Sequence, residues 1–369
     1  MSKKHADPVS YGDAIWRFLD SMGFDLTEQR IPQNTKLEST VIQAFESQGL
    51  NSIGDNWKPL ASTVRLASEF ADMTLLNLPF EIKTVVAIYT AILVYLDTGC
   101  DLSPDVFVPE LKMVVSSMGK NFQDPVVGYL FHLIATEIPK YYGPISSSCI
   151  LKSTLDYCIG SIIECEYPNG VSVPPSSSRF PRYLRRKTGT SESFVHFMFP
   201  DVVFPEKQYM GTYLPAIPDI IEIVDRTNDI MSFYKECVVG TEENNFIVTS
   251  AKLQGCDPVS MLDEVCQDLV RLSTDVKATL DLIPGGHLKE AFFIYVKGFI
   301  MWHITGKRYR LDEIGFQMGS SPQSRWNTRK PVVRSYSFRY FHGRSVFVVG
   351  SATAAAVAAG LVSLFSFTR

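Results

Sequence analysis

The sequence predicts an all-α protein, and three observations carry that prediction. Apolar runs of helix length recur along the chain: Ile82 to Leu96, then Ile150 to Cys165, Ile217 to Val238, Pro258 to Leu282 and Leu288 to Tyr309. Breaks fall at Pro139, at Pro174-Pro175 and at Pro284-Gly285-Gly286. No strand-like alternation, internal repeat or glycine-rich strand-to-helix turn is found. The expected organisation is one all-α domain over residues 1–318, with its helical pattern beginning near residue 35. A basic linker over 319–344 and a membrane segment over 345–369 complete it.

In chain order, Met1 to Gly12 is polar and has no apolar run, so it is not a secretory signal. Ile82 to Leu96 (IKTVVAIYTAILVYL) is apolar nearly all round, which suits the central helix of a large core. The later runs are its candidate partners. At the end of the chain, Val346 to Phe367 is 22 residues without a charge, long enough to cross a bilayer as one helix. The competing reading is a buried Ala-rich core helix. The stretch from Gly319 to Arg344 carries Arg325, Arg329, Lys330, Arg334, Arg339 and Arg344 and no acidic residue. The positive-inside rule therefore puts it, and the domain before it, in the cytosol. That is the layout of a tail-anchored protein, with the endoplasmic reticulum as the expected membrane.

Composition narrows the chemistry. The net charge of -4 over 369 residues gives no electrostatic footprint for nucleic acid. Seven cysteines without a Cys-x-x-Cys pair suit buried thiols in a reducing compartment and not a disulfide framework. The six histidines include no His-Glu-x-x-His, and neither Gly-x-Ser-x-Gly nor a Walker-type loop occurs.

Three constellations remain. Asn228, Ser232 and Glu236 stand at i, i+4 and i+8, which drifts by only about 80° around a helix, so they share a face. Their amide, hydroxyl and carboxylate oxygens are hard donors suited to Mg²⁺, and Lys235 beside them could neutralise a phosphate. Asp97 and Asp101 stand at i and i+4 at the C-terminal end of the long apolar helix, where the helix dipole disfavours anions and a cation is called for. Solvation of both is the alternative. Two basic clusters follow, Arg182 to Lys187 and Lys307 to Arg310. Arginine forks suit diphosphate oxygens, although charge runs are also commonly solvated.

Together these motifs resemble class I terpene synthases, and specifically fungal sesquiterpene cyclases of the trichodiene synthase family. Asn228 to Glu236 fits that family's Asn-x-x-x-Ser-x-x-x-Glu metal motif. Asp97 stands where its first motif aspartate stands, with Thr98 in place of the usual second one. Arg185, 43 residues before Asn228, is similar to the diphosphate-sensing arginine, and Arg308-Tyr309 to the C-terminal Arg-Tyr pair. The resemblance covers roughly residues 35–318 and implies a class I terpenoid synthase helical bundle. It implies that farnesyl diphosphate is ionised and cyclised with release of diphosphate. Three Mg²⁺ would be held by Asp97, with Asp101, on one side and by Asn228, Ser232 and Glu236 on the other. Arg185, Lys235, Arg308 and Tyr309 would bind the diphosphate, and Trp302, with Phe299 one turn earlier, would line the wall against a carbocation. A homodimer is compatible with it. The alternatives are another isoprenoid diphosphate enzyme, such as a prenyltransferase or a cyclase of different chain length, or a non-catalytic, membrane-anchored isoprenoid-binding protein.

Overall fold

The computed structural model describes residues 8–27, 35–240, 242, 245–282, 285–317 and 319. Fourteen α-helices and no strand occur among them: α1 (Pro8–Ser21), α2 (Thr35–Ser47), α3 (Trp57–Thr74), α4 (Phe80–Leu102), α5 (Pro104–Ser116), α6 (Pro125–His132), α7 (Pro144–Glu166), α8 (Phe180–Thr188), α9 (Ser191–Phe197), α10 (Glu206–Tyr213), α11 (Ile217–Phe233), α12 (Phe246–Gln254), α13 (Pro258–Leu280) and α14 (His287–Thr305). The all-α prediction holds. Apart from Gly319, the linker 319–344 and the membrane segment 345–369 lie outside the described residues.

The long apolar run organises the bundle. α4 starts directly after Pro79 and ends two residues before Pro104, because a residue preceding proline is pushed out of helical geometry. By length and composition alone α4 could cross a membrane. It lies instead in the centre, packed by α2, α3, α5, α6 and α7, which is how a helix that is apolar all round is buried in a bundle. α3 also packs on α14, and the two backbones come close at Gly298: a Cβ there would overlap the Met73 carbonyl.

Two predicted helices are divided. The run Ile217 to Val238 is α11 followed by a wide π-type turn over Tyr234–Val239. The run Leu288 to Tyr309 becomes α14 and a 3-10 turn, Lys307–Tyr309, separated by Gly306 in an extended conformation. A further helix stands before the expected start of the helical pattern. In α1, Tyr11, Ala14, Ile15, Phe18 and Leu19 are buried at i, i+3, i+4, i+7 and i+8. α1 packs on α13 and on the turn after α11, and Tyr11 donates a 2.8 Å hydrogen bond to the Ile230 carbonyl.

The cysteines also depart from expectation. All seven are free, but only Cys100, Cys158, Cys237 and Cys266 are buried, while Cys149, Cys165 and Cys256 are half-buried.

Candidate active site

α11 begins with Pro218 in its first turn, where the missing N–H costs nothing, and sets Ile220, Ile223 and Val224 into the core. Its second half carries a buried polar row that includes Asp225, Asp229 and Ser232. Glu236 sits in the π-type turn and not on the regular helix, which corrects the expectation of one continuous helical face. The wider turn still keeps it beside Ser232, whose hydroxyl donates to Glu236 Oε2 at 2.9 Å. Asn245 Nδ2 donates to the same oxygen at 3.0 Å, and Lys235 Nζ approaches Oε1 at 3.4 Å. Burial alone would raise the carboxyl of Glu236. The Lys235 ammonium and these hydrogen bonds outweigh burial and hold it below the usual range.

Asn228 is held from both sides. His303 Nδ1 lies 2.7 Å from the Phe299 carbonyl, which can only accept, so Nδ1 carries the ring proton and Nε2 offers a lone pair. Asn228 Nδ2 donates to that Nε2 at 3.0 Å. The amide oxygen is thereby turned the other way, where Arg185 Nη2 donates to it at 3.1 Å. Burial pushes the His303 imidazole down to about 3, so the ring stays neutral and the orientation persists at ordinary pH.

α8 resolves its basic cluster. Arg182 and Arg186 pair with Glu222, and Lys187 with Asp156. Arg182 and Arg186 thus reach only the first half of the motif helix, whereas Arg185 reaches its polar row: its Nε donates to Asp229 Oδ1 at 2.8 Å, its Nη1 is 3.4 Å from Asp225 Oδ1, and its Nη2 also donates to the Asp225 carbonyl at 3.1 Å. Burial pushes Asp229 up to about 7 against the pull of Arg185, with Asp225 and Glu236 adding to the rise, and its Oδ2 has no hydrogen-bond partner. Gly189 makes room for this network, since a Cβ there would overlap Asp225 Oδ1 and Arg185 Nη1.

Arg308 connects the remaining motifs. Burial works against its guanidinium, but Tyr309, Asp97, Glu236 and Asp101 all act on it and hold its pKa above the ordinary value. The end of α4 and the turn after α11 therefore both come within electrostatic reach of one guanidinium. Asp97, Thr98 and Asp101 are exposed. Glu242, in the loop after the turn, lies within electrostatic reach of Glu236, Lys235, Glu164 and Asp101.

Beneath these groups lies an aromatic layer. Trp302 is buried, donates through Nε1 to the Leu66 carbonyl at 3.0 Å and stacks on Phe299 with centroids 6.0 Å apart. Phe70 packs edge-on against both, and Tyr309 closes against Trp302 and His303. Two cavities, of about 210 and 390 Å³, lie elsewhere, the first between the end of α3 and the start of α14, the second between α2, α4 and residues 129–141. Neither is lined by a motif residue.

Arg185 is hydrogen-bonded to Asn228, Ser232 and Lys235 to Glu236, and Trp302 is in ring contact with Phe299 and Tyr309, while Asp97 and Asp101 reach Arg308 only electrostatically; several neighbours of these groups carry no motif. Asp225 and Asp229 form an i, i+4 pair on the motif helix, which was a readable signal. His303 and Asn245 gave none, since their roles depend on neighbours 75 and 9 residues away.

The Trichodiene synthase (TRI5) family profile matches residues 8–330 of the chain. The (E)-beta farnesene synthase of Metarhizium brunneum is 27% identical over 311 residues, covering 83% of this chain and 90% of that protein. Longiborneol synthase CLM1 of Gibberella zeae is 26% identical over 318 residues, covering 83% and 87%. Among solved structures, the linalool/nerolidol synthase of Streptomyces clavuligerus shares the fold with a TM-score of 0.55 at 12% identity, covering 74% of this chain and 96% of that one.

Proposed function

Because the chain belongs to the trichodiene synthase family and is a terpene synthase acting on a prenyl diphosphate, we propose that its reaction is the Mg²⁺-dependent ionisation and cyclisation of farnesyl diphosphate. One observation carries the assignment of the site. Asp97 and Asp101 from α4 and Glu236 from the turn after α11 act on the same guanidinium, Arg308. A cation within electrostatic reach of both acidic walls suits a diphosphate bridged by metal ions.

The donors fit Mg²⁺, being the carboxylates of Asp97, Asp101 and Glu236, the hydroxyl of Ser232 and the amide oxygen of Asn228. Bound there, Mg²⁺ would neutralise the charge that builds on the departing diphosphate. Three ions, as the resemblance implies, remain the proposed number. Arg185, Lys235 and Arg308 would bind diphosphate oxygens, with Tyr309 adding a hydrogen bond. To do so, Arg185 must turn from Asn228, whose amide oxygen it holds at 3.1 Å. His303 keeps that oxygen facing the site during the exchange. Substrate binding would draw the two walls together and exclude water, which protects a carbocation from quenching. Trp302 and Phe299 would present ring faces to it, worth roughly 0.5–2 kcal/mol each.

We read 345–369 as the tail anchor of this enzyme, with the catalytic domain on the cytosolic face of the endoplasmic reticulum. Retention in the membrane fraction after alkaline extraction, lost when 345–369 are deleted, tests that part.

The enzymatic reading is tested by incubating the full chain with Mg²⁺ and, separately, geranyl, farnesyl and geranylgeranyl diphosphate, followed by gas chromatography with mass detection. A cyclic C15 product from farnesyl diphosphate alone, abolished by EDTA, is the expected result. Turnover of a different chain length would move the assignment to the corresponding cyclase. Coupling of two isoprenoid units would indicate a prenyltransferase, and binding without turnover a non-catalytic protein.

A further inference from the structure

α7 and α9 meet well away from the acidic walls: Cys149 precedes Glu164 on α7 by fifteen residues, about 22 Å of helix rise. At this contact the Sγ of Cys149, a carboxylate oxygen of Glu192 and a ring nitrogen of His196 all lie within 4.8 Å of one another. We propose that Cys149, Glu192 and His196 form a second metal site, selective for a thiophilic divalent transition metal of the zinc class and independent of the diphosphate site.

The donor set decides the class of metal. A thiolate with an imidazole suits zinc and disfavours Mg²⁺, which takes oxygen ligands. Ligand atoms around tetrahedral zinc stand roughly 3.3–3.6 Å apart, so closure needs side-chain movements of no more than about 1.5 Å. Cys149 and Glu192 are half-buried, so both side chains can shift by that much once Lys152 releases Glu192.

The framework is already assembled. Glu192 and His196 stand at i and i+4, on one face of α9. The two helices are pinned together beside them, where Ser193 N donates to Ser153 Oγ and Ser193 Oγ to the Ile150 carbonyl, each at 3.3 Å. His196 is buried, with its Nδ1 3.1 Å from Ser146 Oγ, which fixes the ring.

Lys152 is the competitor. It pairs with Glu192 at 2.8 Å but equally with Asp156 at 2.8 Å, so it can release Glu192 and keep a carboxylate partner.

The test uses the full chain in excess Mg²⁺, which occupies oxygen-only sites, titrated with Co²⁺ as a spectroscopic stand-in for zinc. One saturable equivalent with a thiolate-to-cobalt charge-transfer band, bleached by Zn²⁺, is expected. Cys149→Ser should abolish the band, and Glu192→Gln should weaken Co²⁺ binding by more than about tenfold. Zn²⁺ should raise the melting temperature of the wild type and leave that of Cys149→Ser unchanged. A band that survives Cys149→Ser, undiminished affinity in Glu192→Gln, or no band in the folded wild type would each overturn the site. None of these readouts depends on terpene synthase activity.

Discussion

The two acidic walls within electrostatic reach of Arg308 are built in opposite ways. At the end of α4, Asp97 is exposed, and no hydrogen bond among the described residues fixes its carboxylate. In and after α11, Asn228, Ser232 and Glu236 are each held by named partners: Arg185 and His303, then Glu236 itself, then Asn245 and Lys235. One wall can adapt to a ligand, whereas the other is set before the ligand arrives. A change at Asp97 should therefore touch activity alone, while a change on the α11 side should touch activity and folding together.

Glu236→Ala should have the largest effect. It removes a proposed metal ligand and leaves Ser232, Asn245 and Lys235 without their acceptor. Turnover should fall by about 1,000-fold and unfolding free energy by about 1–3 kcal/mol, read by product formation and by denaturant titration. Asp97→Asn should lower turnover by about 100-fold. Its stability should stay within about 0.5 kcal/mol of wild type, as for an exposed residue whose carboxylate accepts no hydrogen bond among the described residues. Destabilisation equal to that of Glu236→Ala would break the contrast between the walls.

His303→Phe sharpens the comparison, because it removes the acceptor that turns the Asn228 amide and keeps an aromatic ring in the layer. The Mg²⁺ concentration for half-maximal activity should rise by about tenfold, with most of kcat recovered at saturating Mg²⁺. An unchanged Mg²⁺ requirement would show that Arg185 alone orients the amide. The smallest effect is expected for Asn245→Ala, which removes one donor to Glu236 and the cap that accepts from Ile247 N. About 1 kcal/mol of stability should be lost, with only a few-fold drop in turnover.

The contrast between the walls follows what could be read locally. The polar row on α11 was legible because i, i+4 spacing is a property of one helix, and Asp225 and Asp229 were equally readable by that rule. The π-type turn that carries Glu236 was not, since the residues Tyr234 to Val239 continue a helical pattern without a break. α1 was overlooked because its apolar stripe starts inside a segment whose first residues are polar. Within Arg182 to Lys187 the residue pattern alone distinguishes no arginine. The resemblance picked out Arg185, and in the fold Arg185 is the one that reaches Asn228, while its neighbours pair with Glu222 and Asp156.

What the sequence determined by itself was the helical class, the central position of α4 and the row of oxygen donors on α11, all of which follow from periodicities within a single helix. Only the tertiary structure decided that Arg308 comes within electrostatic reach of both Asp97 and Glu236, that His303 turns the amide of Asn228, and that Cys149 meets Glu192 and His196. Those arrangements depend on distances between helices packed from remote parts of the chain, and a repeat of 3.6 residues carries no information about which face another helix will cover.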